Sequence, residues 1–330
     1  MTDTQVRPPM TATVALQVAR LGRRIPLGGQ GGLLLVLLIV MIVTALGSDV
    51  FLTGPNLINV LRQVSVIAVI AAGLTVLMIA GGIDFSMGSN AVVTMAIVAQ
   101  LIAAGLSTGV AVLLGILSAT VIGVVNGLVV TFTRVAPFVA TLAAATLLDG
   151  LALFIVDGRS VSAGEQLSAF GVAGIAGIPY LLLAAVVVCV GLGLALSFTR
   201  FGRDGFAIGG NEEAARLSGI PVALRKVSLY ALMGVLAGIA GVLLLSRLGA
   251  ASPGASGLTL ELQAVAAVVI CGTSLAGGRG TMIGTALGVV LLGILANALN
   301  LLSVSSYIQM MVVGGVLLLA AIANSWRFRR

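Results

Sequence analysis

Apolar residues run along this chain in ten long stretches, near 31–46, 60–80, 88–104, 109–131, 136–156, 178–198, 228–246, 262–275, 282–300 and 307–323. Short segments between them hold the charges and the glycine and proline clusters. The runs are too long for strands and show no alternation of period two, so each predicts a helix. In hydrocarbon a helix has a further advantage, because it satisfies every backbone polar group within its own segment. About 20 residues cross a ~30 Å hydrocarbon core, and ten such spans account for most of the chain. The first run follows an Arg-bearing polar segment and has small residues near Ala45 and Gly47, as a cleaved signal would. The leading segment is long and further spans follow at once, so an uncleaved first span is expected.

Composition leaves lipid as the only solvent for this pattern. Hydrophobic residues make up 59% of the 330 and charged residues 8%, whereas a soluble domain carries about a quarter charged. The expected fold is all-α and polytopic. A tail at 1–30 precedes the transmembrane domain, 31–323, and a basic tail at 324–330 follows it. Within the domain, 199–227 is the longest loop on the side of the N-terminus.

With both termini in the cytoplasm, 14 of the 17 basic residues fall inside; the other three are Arg62, Arg159 and Arg247. Such a bias is the positive-inside rule. It favours an even number of spans, since one more or one fewer would put Arg327, Arg329 and Arg330 on the wrong face. The net charge of +7 does not point to nucleic acid, because the basic residues lie between apolar runs and build no patch interleaved with aromatics. There is no histidine, so His-dependent acid-base, triad and metal chemistry is excluded. Cys189 and Cys271 each sit inside an apolar run as small core residues. No residue is expected to be catalytic or to bind a metal.

The loop 199–227 contains a short helix marked at both ends. Asn211 is its cap, Glu212 and Glu213 complement the positive helix start, Gly219 supplies the left-handed closing residue, and Pro221 blocks continuation. Ala214, Ala215 and Ser218 give it a small-residue outward side, suited to docking into a protein cleft rather than to lying on lipid.

The run Glu213-Ala214-Ala215-x-x-x-Gly219 matches the E-A-A-x-x-x-G loop of the membrane subunits of ATP-binding cassette (ABC) importers. The chain resembles the ribose/xylose/galactoside-type permeases. The likeness continues through Gly81-Gly82-Ile83-Asp84-Phe85-Ser86-Met87-Gly88-Ser89, through 134–142 and through 272–280, covering nearly everything after residue 50. Phe85 and Met87 stand where the family more often has Leu and Val. The resemblance implies an inner-membrane importer subunit for a monosaccharide or similar small polar solute, working by alternating access. It also implies three partners: an ABC ATPase subunit that binds ATP and Mg, a periplasmic sugar-binding protein, and a second permease copy, identical or related. Asn211, Glu212, Glu213, Ala214, Ala215, Arg216 and Gly219 would couple this chain to the ATPase. The chain itself has no cofactor: a phosphate-cradling G-x-x-x-x-G-K-[ST] loop is absent, and the only lysine, Lys226, stands between Arg225 and Val227.

Polar residues within the apolar runs are few. Asp84, with Ser86 and Ser89, either caps the third span or lines a gate, and lies toward the cytoplasmic interface. Asn90, Asn126, Asn297 and Asn300 need partners in the bundle interior, as glue between helices or along the solute's route. Gly234 and Gly238, and Gly280, Gly284 and Gly288, recur every four residues and so share helix faces where backbones approach closely. Packing within one subunit is the expected use.

Two further motifs fail: Gly105-x-Ser107-x-Gly109 has no histidine base, and Gly278-Arg279-Gly280 follows no strand. The rival to an ATP-driven importer is a secondary transporter driven by an ion gradient, which needs coupling acids at broken helices near mid-membrane. The runs as drawn contain none, Asp149 lying near an end.

Overall fold

The computed structural model describes residues 30–133, 135–252 and 257–328. Apart from Gln30, the N-terminal tail falls outside the described residues, as do Arg134, Arg329 and Arg330.

In chain order the helices are α1 (Gln30–Gly47), α2 (Gly54–Ile79), α3 (Met87–Ala103), α4 (Thr108–Phe132), α5 (Pro137–Val156), α6 (Gly164–Val172), α7 (Tyr180–Phe198), α8 (Arg200–Gly210), α9 (Glu212–Leu217), α10 (Val222–Leu248), α11 (Gly257–Ile270), α12 (Met282–Leu301) and α13 (Ser306–Phe328). Ten of them coincide with the ten apolar runs. Among the described residues, α2, α4, α5, α7, α10 and α12 are long and apolar enough to cross a membrane by length and composition, and α1, α3, α11 and α13 contain shorter apolar helices.

Several boundaries differ from the sequence expectation. The run at 262–275 is a helix five residues earlier, because Gly272, Gly277 and Gly278 take positive φ and end it at Ile270. The loop 199–227 holds a second helix, α8, and already contains the start of α10. Helix α13 continues through Phe328, into the segment assigned to a tail. The stretch 157–177 also holds a helix: α6 lies there, its last carbonyl, Val172, accepting from the Arg62 guanidinium, and Phe170 stacks on Tyr180 at 5.6 Å. Two small antiparallel pairs complete that end. β1 (Val161–Ser162) joins β4 (Ala250–Ala251), and β2 (Gly174–Ile175) joins β3 (Ile178–Pro179).

The bundle is ordered from centre to periphery by burial. In α2, 78% of the most apolar stretch is buried, against 17% for α7. Both are apolar all round, so the difference lies in neighbours: α2 is surrounded by α7, α8, α10, α11 and α12, while α7 turns Val187, Val190 and Leu194 outward. In water such a surface would drive aggregation, whereas acyl chains cover it without cost.

Close approach is carried by glycine. Helices α4 and α10 cross antiparallel, and a Cβ on Gly123 would overlap the Tyr230 carbonyl, one on Gly127 would lie 2.9 Å from the Tyr230 Cβ, and one on Gly238 2.9 Å from the Ile116 Cα. Gly234 fits equally tightly against Ala119 and Thr120. Thus Gly234 and Gly238 pack within one subunit. On α12, Gly288 presses on the Ala267 carbonyl and Gly284 on Cys271, both belonging to the α11 side, whereas Gly280 lies in the break before α12, against Ile79 and Thr273, and so does not share that helix face.

Gly123→Val is therefore expected to lower unfolding stability in detergent by about 1–3 kcal/mol through overpacking. Gly150→Val, with no atom near its Cβ position, is expected to stay within about 0.5 kcal/mol of the parent. Denaturant titration of both purified variants checks the contrast; equal losses would rule it out.

Candidate functional site

The marked helix of the loop 199–227 forms as its ends require. Asn211 Oδ1 accepts from the amides of Glu213 and Ala214, both at 3.0 Å, and Gly219 closes the helix at φ +83°. Glu212 fastens α9 to its surroundings, with one carboxylate oxygen 3.2 Å from the Arg216 guanidinium and the other 2.6 Å from Lys226 Nζ on α10. A second ion pair, Arg225 to Asp204 at 2.7 Å, joins α10 to α8.

These contacts sort the seven coupling candidates. Glu213, Ala214 and Arg216 face outward with Asn211 and Gly219, and Glu212 is half-buried. Ala215 is turned inward against Ile208 and Val222, so it seats α9 on its own chain and is not on the outward face. That face is also not made of small residues alone, because Leu217 is 85% exposed. Leu224, in the first turn of α10, is 67% exposed. Neither leucine stands out in the sequence, since a six-residue helix is too short for its apolar side to show as a period.

The second site is deeper. The chain between α2 and α3 is an irregular segment in which Asp84 Oδ1 accepts from the amide and hydroxyl of Ser86, at 2.8 and 2.6 Å. Asn126 Nδ2 donates to the same Ser86 oxygen at 2.7 Å, and Tyr230 Oη donates to the Ile83 carbonyl at 2.8 Å. Asp84 is thus a turn residue. The residue before the first helical one is Ser86, and the free amide of Ser89, in the first turn of α3, is taken from another helix: Glu261 Oε1 accepts from Ser89 N and Ser89 Oγ, both at 3.2 Å. Glu261 is fully buried in α11 and its Oε2 has no hydrogen-bond partner.

Helix directions explain why a carboxyl stands there. α11 leads into the 271–280 break, which joins the end of α2, whereas α3 leads away from it. The two therefore meet start to start, with Gly88 against the Gly257 carbonyl and Glu261. Helix starts carry unpaired amides and roughly half a positive charge each, and Glu261 takes the Ser89 amide and hydroxyl at the start of α3. The sequence expectation missed it because the run was drawn from 262, leaving Glu261 outside as a loop acid. With that corrected, broken helices with a buried acid do exist here.

Phe85 packs edge-on against Phe138 at the start of α5, with ring centroids 5.2 Å apart, and Met87 is buried in the core. The four asparagines divide. Asn90 donates to the Ala119 carbonyl at 3.1 Å and Asn126 to Ser86, while Asn56 and Asn297 exchange both amide bonds across α2 and α12 at 3.0 and 2.9 Å. These three candidates join helices. Asn300 is exposed near the end of α12.

Asn211→Ala should remove the cap at about 1 kcal/mol, raising amide exchange across 212–217 roughly fivefold while leaving the global unfolding midpoint in place. Glu261→Ala should strand the Ser89 donors and cost about 1–3 kcal/mol, with Glu261→Gln recovering most of it. Thermal unfolding in detergent measures the pair, and equal losses would show that the acceptor oxygen is not what matters.

The chain matches the family model described as branched-chain amino acid transport system / permease component over residues 56–321. It is 43% identical to the ribose import permease protein RbsC of Bacillus subtilis, over 89% of this chain and 92% of that one. To the protein of the same name in Escherichia coli K12 it is 41% identical, over 90% and 93%. The D-allose transport system permease protein AlsC of Escherichia coli K12 is 34% identical, over 89% and 90%. With the matched region running from the start of α2 almost to the end of α13, the chain belongs to this family of bacterial transport permeases, alongside the ribose and allose permeases.

Proposed function

We propose that the chain is the membrane-spanning subunit of an ATP-driven importer that carries a monosaccharide, or a similar small polar solute, across the bacterial inner membrane by alternating access. In this proposal it crosses the bilayer ten times with both termini in the cytoplasm, pairs with a second permease copy and receives solute from a periplasmic binding protein. ATP and magnesium bind to a separate ATPase subunit, and no covalent chemistry occurs in this chain.

The observation that carries the proposal is α9: a six-residue helix capped by Asn211, braced by Lys226 and closed at Gly219, which turns Glu213, Ala214 and Leu217 outward on the most positively charged loop of the chain. A helix this short is not stable alone, so its bracing makes it a fixed knob for another protein. ATP-dependent closure of the ATPase subunits would push on that knob.

The ion-gradient reading has one observation of its own, the buried Glu261 at two meeting helix starts, and the same experiment separates the two. In vesicles holding the chain with its ATPase and binding protein, uptake of a labelled pentose or hexose should require ATP and be blocked by vanadate. Leu217→Arg should release the ATPase subunit during purification and abolish uptake. Gradient-driven uptake by the chain alone, without ATP, would overturn the importer reading.

A further inference from the structure

The helix before the α9 knob meets the buried breaks of the bundle directly. At the end of α8, a Cβ on Gly209 would overlap the Ile79 carbonyl oxygen and lie 2.6 Å from the Gly278 nitrogen. A Cβ on Gly277 would lie 2.8 Å from the Gly209 oxygen and 3.0 Å from the Gly81 Cα. The Ile79 carbonyl accepts from the Gly278 amide at 2.8 Å. Three chain segments far apart in sequence therefore meet backbone on backbone, with no side chain between them.

We infer that Gly209 is the positioning residue through which movement of the ATPase-facing loop reaches both breaks at once. The inference deepens the importer reading and rests on it. Three features carry it. First, Gly209 is rigidly tied to the knob: Gly210 and Asn211 follow it directly, Asn211 caps α9, and the Arg225 to Asp204 pair clamps α8 to α10. Second, what it touches is shared, because the Ile79 oxygen is at once the end of α2 and the anchor of the 271–280 loop. Displacing it moves both segments. Third, each segment leads to one of the two helices that meet at Glu261: the first through Asp84 and Ser86 into α3, the second back into α11. A push at Gly209 is thereby delivered to both sides of the Ser89 to Glu261 junction, and a side chain in that place would hold the surfaces apart and break the link.

The neighbouring glycine provides the control. Gly210 has no atom within 4 Å of its Cβ position, so Gly210→Ala changes the same helix without touching the contact. The test uses the assembled complex of permease, ATPase and binding protein in vesicles. The unmodified complex must first show vanadate-sensitive uptake, and its failure to do so would count against the importer reading instead. Given that uptake, Gly209→Ala is expected to keep the ATPase subunit bound and still hydrolyse ATP, but to lose at least tenfold in uptake and to lose stimulation of hydrolysis by the solute-loaded binding protein. Gly210→Ala should behave as the parent. Uptake by Gly209→Ala within twofold of the parent overturns the inference, as does release of the ATPase, which would make Gly209 part of the docking surface. Should Gly209→Ala not fold, hydrogen exchange on the unmodified complex decides. Vanadate trapping is expected to change exchange at 79–86 and 277–280 together, and a change confined to α9 overturns the inference.

Discussion

The structure depends on how two helices can begin inside an apolar bundle. A helix start exposes amides that have no partner of their own and a partial positive charge, and hydrocarbon offers neither water nor counterion. Here α3 and α11 begin against each other, and one carboxyl from α11 takes the Ser89 amide and hydroxyl of α3. Asp84 performs a local version of the same task three residues before α3, holding the Ser86 amide and hydroxyl. The rest of the inner architecture follows. Because α3 starts inside the bundle, the irregular segment 80–86 carries the chain to it from the end of α2, and the glycine-rich turn 271–280 leads from the end of α11 towards α12. Tyr230 donates to the Ile83 carbonyl of that irregular backbone, and Asn126 donates to the Ser86 hydroxyl oxygen.

Such a centre demands close neighbours, and the distribution of small residues meets that demand. Gly88 and Gly257 let the two starts touch, Gly123, Gly127, Gly234 and Gly238 let α4 and α10 cross at backbone contact, and Gly241 lets α10 reach Ala91 on α3. In lipid there is no hydrophobic gain in exchanging acyl chains for another helix, so dispersion at short range and interhelical hydrogen bonds must hold the bundle. The reciprocal Asn56–Asn297 pair and the Asn90 bond to Ala119 provide the latter. The peripheral faces of α4 and α7 need neither, and accordingly present branched and aliphatic side chains outward.

Much of this is legible in the residues and some is not, for identifiable reasons. Ten apolar runs are visible because hydropathy acts over a whole span, and the bounds of α9 are visible because Asn211 and Gly219 each have a local, conformational reason to be there. The start of α11 is not, because a charge beside an apolar run reads as a boundary. Only the position of α3 reveals that Glu261 is a partner rather than an edge. Helix α8 escapes for the opposite reason: Gly202, Gly205, Gly209 and Gly210 read as loop, while in the structure Gly202 and Gly209 are packed against Leu196 and Ile79. Ala214 and Ala215 look equivalent in sequence, and only the fold decides that one is outward and the other seated on Ile208.

The glycine contacts also bear on how force would travel in the proposed importer. A side-chain contact between moving segments is compliant, since a rotamer change or a tilt of a long side chain absorbs about an ångström at small cost. Backbone against backbone has no such freedom: the Ile79 carbonyl, the Gly278 amide and the Gly209 Cα are each fixed by their own helices and turns. A displacement at the end of α8 is then either transmitted or resisted. Packed interiors respond by switching between discrete arrangements rather than deforming gradually. At the Ser89 to Glu261 junction one acceptor oxygen of α11 takes two donors of α3, so two such arrangements there would differ by few bonds.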